Sequence, residues 1–339
     1  MLGVPRTWHS KDIRYQKPTS PSVKGKGMTV LELCAGAGGQ AIGLEQAGFS
    51  PSAVVERDPN CCDTLRKNRP KWNVVNRDIR SVSVEQLGNP DLIAAGLPCP
   101  PFSIAGKQLG SEDDRNLFPA ALEIVTSLRP KALRGENVRG LKGVRFNDFR
   151  SEFEQSLTKL GYVADWKLLN ASDFGVPQLR PRFVLVAMRR RYWSDFDWPD
   201  QGDFVKPPTV GEALNNFMRR RGWKFAAAWA RAADRIAPTI VGGSHKHGGP
   251  DLGPTRAKQA WRELGVDGLG IADEAPLEEF VGIPKLTNLM VARLQGFDES
   301  WKFCGGKTAI YRQIGNAFPP PVSRAIGLRI YRALTASKS

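Results

Sequence analysis

The sequence predicts an α/β protein with a doubly wound, mostly parallel sheet of the Rossmann-like type and a smaller domain inserted late in the chain. Short apolar runs alternate with helix-like stretches as far as residue 188, which is the pattern of βαβ units. The first apolar run, 28–33, leads into a glycine-rich turn, as the first strand of such folds does. Beyond residue 189 the periodicity fades and Gly, Pro, Trp and Arg become frequent, which indicates a second domain.

Each element follows from the spacing of its apolar residues. Short apolar runs predict strands, and apolar residues at i, i+3 and i+4 predict helices. The predicted strands are 28–33, 53–56, 72–75, 91–95, 164–169 and 183–188. The predicted helices are 41–48, 59–68, 117–128, 286–295 and 321–334.

These elements divide the chain into four segments. Residues 1–27 are basic, rich in Pro, Ser and Lys, and predict an arm outside the core. Residues 28–189 form the main domain, 190–285 the smaller domain, and 286–339 a return to the main domain. The smaller domain is rich in tryptophan, and we expect its core to hold Trp193, Trp198, Trp223, Trp229 and Trp261.

The composition excludes several classes of protein. Apolar residues make up 41% of the 339, enough for a sizeable core and too many for a disordered chain. No apolar run approaches the ~20 residues of a membrane span, and the basic N-terminus lacks the apolar stretch of a signal peptide. We therefore expect a cytoplasmic protein without a membrane partner. The net charge of +15 fits a nucleic-acid partner and, equally, a solvated basic surface.

Cysteine and histidine usage predicts a reduced protein without a metal. The five cysteines are an odd number and no two have C-x-x-C spacing, which argues against a disulfide framework. Three histidines are too few for a convincing metal cluster. Cys61 and Cys62 lie on a predicted helix, and we interpret them as structural.

A glycine turn predicts a nucleoside-containing cofactor. Gly36, Gly38 and Ala41 fit G-x-G-x-x-G/A between a strand and a helix, where glycine permits a tight turn and a close ligand. Glu56 follows Gly36 by 20 residues at the tip of the second strand, where a carboxylate can accept both hydroxyls of a ribose. NAD and S-adenosylmethionine both carry adenosine, so the turn alone leaves the two cofactors open.

Asp78 is a further candidate at the same edge of the sheet. It follows the third strand-like run and could accept a hydrogen bond from an adenine amino group, or it could simply form a turn. The glycine turn lacks the Lys-Ser/Thr ending of a P-loop, which argues against NTP hydrolysis.

Cys99 is a candidate nucleophile. It stands in Leu97-Pro98-Cys99-Pro100-Pro101, directly after the predicted strand 91–95. Prolines stop a strand, so the thiol lies at the carboxyl edge of the sheet, where open α/β folds bind ligands. The polar stretch 106–116 that follows has the composition of a loop that closes over a substrate.

Two later motifs bring charged groups towards this edge. Glu136, in Gly-Glu-Asn-Val, follows another apolar run, and Gln178-Leu179-Arg180-Pro181-Arg182 precedes the last predicted strand. Taken alone, each motif is better explained by charged residues on a solvated surface.

In this order the motifs resemble those of the cytosine-5 DNA methyltransferases, over about 30–190 and 285–330. The Pro-Cys, Glu-Asn-Val, Gln-x-Arg-x-Arg and Gly-Asn-Ala motifs are specific as a set. The resemblance implies the S-adenosylmethionine-dependent methyltransferase fold, with 28–189 as the catalytic and cofactor-binding domain and 190–285 as the target-recognition domain. The matching segments are 31–49, 55–58, 78–79, 91–103, 114–118, 136–138, 178–182 and 313–317.

The resemblance also implies the chemistry. Cys99 would add to C6 of a flipped-out cytosine, Glu136 would bind and protonate N3, and Arg182 with Arg180 would hold O2 and support the active-site loop. C5 would then take a methyl group from S-adenosylmethionine, leaving S-adenosylhomocysteine. The cofactor-binding positions would be Cys34, Ala35, Gly36, Gly38, Gly39, Glu56, Arg57, Asp78, Ile79, Pro98, Leu117 and Asn316.

Three positions depart from the family pattern. Cys34 stands where the family usually has Phe, Arg57 where an aromatic residue is common, and Arg134-Gly135 where the residues before the Glu motif are usually apolar.

The implied partner is double-stranded DNA, read by residues 190–285, and the implied state is a monomer. A restriction–modification role with a cognate endonuclease fits this picture. Alternatives are an RNA cytosine-5 methyltransferase, a catalytically silent DNA-binding protein of the same fold and, from the glycine turn alone, an NAD-dependent oxidoreductase. The intact Cys99, Glu136 and Arg182 argue against the silent protein, and the Pro-Cys loop is left unexplained by the oxidoreductase.

Overall fold

A computed structural model describes residues 27–97, 116–200, 206–243 and 249–336. The strands are β1 (Thr29–Leu33), β2 (Ser50–Glu56), β3 (Val74–Asn76), β4 (Leu92–Gly96), β5 (Ala132–Val138), β6 (Tyr162–Asn170) and β7 (Pro181–Arg189). The helices are α1 (Gly39–Gln46), α2 (Pro59–Asn68), α3 (Phe118–Leu128), α4 (Asn147–Lys159), α5 (Arg190–Trp193), α6 (Val210–Met218), α7 (Ala226–Ala232), α8 (Thr255–Glu263), α9 (Asn288–Leu294), α10 (Lys307–Asn316) and α11 (Pro320–Ala336).

All seven strands form one mixed sheet, which confirms the predicted α/β fold. The order is β3-β2-β1-β4-β5-β7-β6. The strands from β3 to β5 pair in parallel, and β7 pairs antiparallel with both β5 and β6. The chain order reverses between β1 and β4. Open α/β sheets bind their ligands beyond the carboxyl ends of the strands at such a point.

Separate apolar clusters cover the two faces of the sheet. On one face Leu31 and Ile93 pack with side chains of α3 and α4. On the other, Val30 and Leu92 pack with α1 and α11. The alternation along β1 and β4 therefore buries both faces, as parallel strands require.

Helix α11 packs very closely on α1, and glycine makes this approach feasible. A Cβ on Gly43 would lie 2.4 Å from the carbonyl oxygen of Pro320, and one on Gly39 would lie 2.3 Å from that of Phe318. Because real Cβ atoms do not come so near to backbone oxygens, any side chain here would force the two helices apart. The end of the chain thus completes one face of the sheet.

The region after β7 is built mainly from short helices. Trp223, Trp229 and Trp261 are buried in its core as expected. Trp193 and Trp198 are not, and that expectation is wrong: with Phe196 they pack on the main-domain cluster that contains α11. The reason is that α5 begins immediately after β7 and stays against the sheet.

Candidate active site

The glycine turn between β1 and α1 has a left-handed backbone. Gly36 has φ +56° and Gly38 has φ +87°, and even Cys34 is left-handed with φ +55°. A Cβ added to Gly36 would meet none of the described residues within 4 Å, so these residues leave the space beside it open. Gly38 lies against the side chains of Leu65 and Trp301. Glycine at these positions therefore allows the left-handed backbone of the turn and keeps side-chain atoms out of the space beside it.

Trp301 and Cys34 both lie at the glycine turn. The contact of Trp301 was not predicted from the sequence, and Cys34 has the character of a structural residue. Trp301 donates a hydrogen bond from Nε1 to the carbonyl of Ala37, 3.1 Å away, and so supports the turn from the late part of the chain. Nothing in its local sequence pattern indicates this contact. Burial raises the pKa of the Cys34 thiol, which keeps that thiol protonated and a poor nucleophile.

Glu56 lies at the end of β2 and is tied to the glycine turn. One carboxylate oxygen accepts a 2.7 Å hydrogen bond from the backbone N–H of Gly36. The other accepts from the N–H groups of Arg57 and Asp58, each at 2.8 Å. Burial raises the pKa of Glu56, and these backbone donors oppose the rise. A carboxylate has further lone pairs, so these bonds leave it able to accept hydroxyls.

Asp78 is held by two arginines just beyond β3. Arg80 donates to it from Nε at 2.9 Å and from Nη2 at 2.7 Å, and Arg57 lies 3.6 Å away. The Arg80 hydrogen bond is the main cause that lowers the pKa of Asp78 to about 2. Asp78 also caps the short 3₁₀ turn that begins at buried Ile79. Its roles as turn former and as an anionic acceptor are thus compatible.

The remaining described cofactor candidates lie on different elements. Ala35 is buried and pairs with β2 through its N–H. Leu117 is buried at the start of α3. Asn316 is exposed at the end of α10 and donates to the carbonyl of Gly243 at 3.2 Å, which joins the return segment to the region after β7.

Glu136 and Arg182 form a buried ion pair. Nε of Arg182 lies 3.4 Å from Oε2 of Glu136, and the two side chains are 11% and 8% exposed. Glu136 pairs in register with Gly96 on β4, and its Oε1 is 4.0 Å from where a Gly96 Cβ would be. The carboxylate of Glu136 therefore lies beside the end of β4.

Arg180 points away from this pair. Its guanidinium is fully buried and donates to the carbonyl oxygens of Ile240 and Gly315, both at 2.7 Å, and of Ala317 at 3.1 Å. Gln178 completes the junction by accepting from the N–H of Ile240 at 2.9 Å. The Gln-x-Arg-x-Arg motif thus joins β7 to the region after it and to the return segment, a role that sequence reasoning missed for Gln178.

Asn137 connects Glu136 to the end of β4. Its side-chain amide lies 3.4 Å from the carbonyl of Leu97, and its Oδ1 accepts from the N–H of Val138 at 2.9 Å. Leu97 is the last described residue before Pro98 and Cys99, which lie outside the described residues. Their predicted roles therefore stay predictions.

The departure at Arg134 has a physical explanation. Arg134 is fully buried and donates from Nη1 to Gln40 at 2.7 Å and to Ser323 at 3.2 Å. Gln40 in turn donates to buried Glu32 at 2.7 Å. A polar chain thus replaces apolar packing beneath the glycine turn.

No three His, Cys, Asp or Glu side chains of the described residues come together as metal ligands would. None of the helices in this part of the chain combines the length and the apolar character that a membrane crossing demands.

Comparison with known proteins places the chain in a family. The profile described as C-5 cytosine-specific DNA methylase matches residues 28–332. The type II methyltransferase M.NaeI of Lentzea aerocolonigenes is 56% identical over 314 residues, which are 91% of this chain and 75% of that protein. M.NgoMIV of Neisseria gonorrhoeae, also a type II methyltransferase, is 48% identical over 90% of this chain and 98% of its own length.

Solved structures agree at the level of fold. The methyltransferase EhMeth of Entamoeba histolytica superposes with a TM-score of 0.65 at 16% identity, covering 92% of this chain and all of that one. A DNMT2 variant of Spodoptera frugiperda gives 0.61 at 21% identity, covering 90% and 99%. With the family match over nearly the whole chain, the protein belongs to the C-5 cytosine-specific DNA methylases and is a DNA (cytosine-5-)-methyltransferase.

Proposed function

We propose that the protein transfers a methyl group from S-adenosylmethionine to C5 of a cytosine flipped out of a specific double-stranded DNA sequence, through a bond between Cys99 and C6. The observation that carries the proposal is the buried Glu136–Arg182 pair, which lies in register with the end of β4. Cys99 follows β4 by three residues. An acid and a cation at this sheet edge, with a thiol shortly after the strand in sequence, suit addition to a pyrimidine.

The glycine turn fits the methyl donor. The space open above Gly36 admits a ligand close to the backbone, and Glu56 beside it can accept the hydroxyls of a ribose. Asp78 stays ionised at neutral pH and can accept from an amino group, while the Arg57 side chain is 62% exposed at the same edge. When bound there, S-adenosylmethionine supplies an electrophilic methyl group on its sulfonium.

The chain's own residues carry the remaining steps. The Cys99 thiolate bonds to C6 while Glu136 gives a proton to N3, so that C5 becomes enamine-like and nucleophilic towards the methyl group that S-adenosylmethionine would supply, with S-adenosylhomocysteine as the leaving group. A base, such as water, then takes the proton from C5. The electron pair of the broken C5–H bond forms the C5–C6 double bond again and expels the Cys99 thiolate from C6, while N3 returns its proton to Glu136. The product is 5-methylcytosine.

The two arginines have different positions and therefore different proposed tasks. Arg182 contacts Glu136 and can donate to O2 of the same ring, which stabilises the charge that builds there. Arg180 donates to carbonyls of the return segment. We assign it the task of holding β7 and the active-site region together.

An exposed basic segment next to Glu136 suits a DNA backbone. Arg139, Lys142 and Arg145 are exposed within the turns that follow β5, and residues 139–147 contain no acidic residue. Buried Leu141 and Phe146 anchor these turns. Phosphate contacts from such cations position a duplex, and the binding energy offsets the few kcal/mol that base flipping costs.

The proposed setting is a restriction–modification system in the bacterial cytoplasm. The similar proteins M.NaeI and M.NgoMIV are named type II methyltransferases, which supports a role in restriction–modification. We propose that the protein acts as a monomer, that residues 190–285 read the target, and that a cognate endonuclease cuts the same sequence. Methylation of cytosine then protects the site from that partner.

Transfer of a labelled methyl group tests the proposal. Purified protein with tritiated S-adenosylmethionine should label bacterial duplex DNA and leave transfer RNA unlabelled. The Glu136→Gln variant should lose activity by roughly 10²–10⁴-fold, the usual worth of a general acid. Bisulfite sequencing of the labelled DNA then identifies the target. Label on transfer RNA alone would contradict the proposal.

A further inference from the structure

A chain of polar side chains crosses the apolar core beneath the proposed site. Glu32 on β1, Gln40 on α1, Arg134 on β5 and Ser323 on α11 are each at most 4% exposed. Such groups are costly to bury, and apolar residues of similar size would fill the space with less loss. Their presence therefore calls for a task beyond packing.

Hydrogen bonds connect these four polar side chains without a break. Gln40 donates from Nε2 to Glu32 and accepts at Oε1 from Nη1 of Arg134, both at 2.7 Å. The same Nη1 lies 3.2 Å from Oγ of Ser323, whose hydroxyl donates back to the carbonyl of Gln40 at 2.7 Å. The guanidinium of Arg134 also lies 4.2 Å above the ring of Phe318.

The register of the sheet places Glu32 and Arg134 on the same face as Glu136. Glu32 pairs with Ala94, and Ala94 pairs with Arg134, so the small Ala94 side chain separates the acid from the guanidinium on one face. Arg134 and Glu136 are two residues apart on β5 and share that face, because strand side chains alternate. The charge of Arg134 attracts Glu136 as well as Glu32.

We propose that Arg134 is a positioning residue for Glu136, aligning it with the glycine turn through Gln40 and with the C-terminal return through Ser323. The inference rests on the proposed function, in which Glu136 must reach N3 of the target ring. A displacement of about 1 Å at such a group can cost roughly 100-fold in rate. A rigid link between β5, α1 and α11 prevents that displacement.

The deciding experiment separates alignment from stability. The variant Glu32→Leu/Gln40→Leu/Arg134→Met replaces three of the four polar side chains and leaves Ser323, and such apolar replacement of a buried charged set is often neutral or stabilising. We expect its melting temperature to stay near that of the wild type. Its single-turnover rate of methyl transfer should fall about tenfold or more, with KM for S-adenosylmethionine and DNA changed by less than about threefold. A folded variant with the wild-type rate would overturn the proposal.

Further variants keep the test decisive. Ser323→Ala removes one partner of Arg134 and keeps every charge. If the triple variant fails to fold, a rate loss of about threefold or more in Ser323→Ala at unchanged KM supports the proposal, and an unchanged rate overturns it. The control is Asp91→Asn/Lys131→Met. This variant removes an ion pair at the starts of β4 and β5, the ends remote from Glu136, and should affect stability without affecting the rate of methyl transfer.

Adduct formation by the wild-type protein distinguishes a failure of the proposed function from a failure of the positioning role of Arg134. If wild type forms no covalent adduct with DNA that contains 5-fluorocytosine, the proposed function fails and the inference with it. If wild type forms the adduct and the triple variant is as fast as wild type, only the positioning role fails.

Discussion

Oε2 of Glu56 lies 2.7 Å from the backbone nitrogen of Gly36, so the carboxylate at the end of β2 braces the turn at the end of β1. The two residues are 20 positions apart in sequence, and the strands β1 and β2 that lead to them are neighbours in the sheet. This contact explains why the spacing between a glycine turn and an acidic residue carries information about a cofactor. The same carboxylate shapes the turn and offers its remaining lone pairs to a ligand.

Glu56→Gln should weaken cofactor binding. The amide puts an N–H₂ group where a backbone N–H now donates, and it removes the charge that strengthens bonds to hydroxyls. We expect the Kd for S-adenosylmethionine, measured by calorimetry, to rise roughly 10- to 100-fold, which corresponds to about 1.4–2.7 kcal/mol. Glu123→Gln on the exposed face of α3 should bind as the wild type does. Unaltered affinity in Glu56→Gln would remove Glu56 from the site.

Arg180→Met should destabilise the protein. The buried carbonyl oxygens of Ile240 and Gly315 lose this donor in the variant, while that of Ala317 keeps its bond from Gln295, and each unsatisfied buried group costs about 1–3 kcal/mol. We expect a loss of about 3 kcal/mol or more in the free energy of unfolding, measured by urea denaturation. Arg256→Met on the exposed surface of α8 should change it by less than about 0.5 kcal/mol. A variant as stable as wild type would show that Arg180 does not hold these segments together.

Lys142→Ala/Arg145→Ala should make DNA binding less sensitive to salt. If each cation neutralises one phosphate, the slope of log K against log[salt] should become shallower by about 1.8, at ~0.9 for each contact. Fluorescence anisotropy with a labelled duplex over a salt series measures this slope. Lys159→Ala, at the end of α4 on the opposite edge of the sheet, should leave the slope unchanged. Equal slopes for all proteins would exclude the segment after β5 from the DNA interface.

Glu32→Gln should stabilise the protein increasingly as the pH rises. Burial raises the pKa of Glu32 from 4.5 to about 7, against the opposing effects of Gln40 and Arg134. The protonated carboxyl is favoured in the fold, so its contribution is complete below pH 4.5 and is lost as the pH rises through 7. The gap in unfolding free energy between variant and wild type should therefore grow by about 3 kcal/mol over this range. Glu123→Gln is the control and should show no such change with pH. A constant difference in unfolding free energy between Glu32→Gln and the wild type would contradict the raised pKa of Glu32.

The sequence predicted the strand-and-helix order because local signals were strong. Helix α2 matches its predicted bounds, since Asp58 caps it and Pro59 occupies its first turn. The antiparallel pairing of β7 was not foreseen, because an apolar run buried on both faces does not state the direction of its neighbours. Helix α10 was also missed; only four of its residues are buried, and its glycine motif resembles a loop.

Polar contacts between distant segments were the hardest part of the site to anticipate. Arg134 looked like a departure from an apolar strand, and its partners Gln40 and Ser323 are 94 and 189 residues away. Arg180 looked like a second ligand for the base, whereas its guanidinium donates to backbone carbonyls of remote segments. Motif spacing identifies residue types, but the direction of a buried side chain depends on tertiary contacts.

The account's central claim is that Cys99 bonds to C6 of cytosine. The direct test uses a duplex in which a polymerase has replaced every cytosine of one strand with 5-fluorocytosine, because fluorine cannot leave C5 as a proton does. With S-adenosylmethionine present, we predict a denaturation-resistant protein–DNA adduct whose peptide maps to Cys99. Cys99→Ala should form none while it still binds the cofactor. An absent adduct, or one that maps to Cys34 or another cysteine, would contradict the claim.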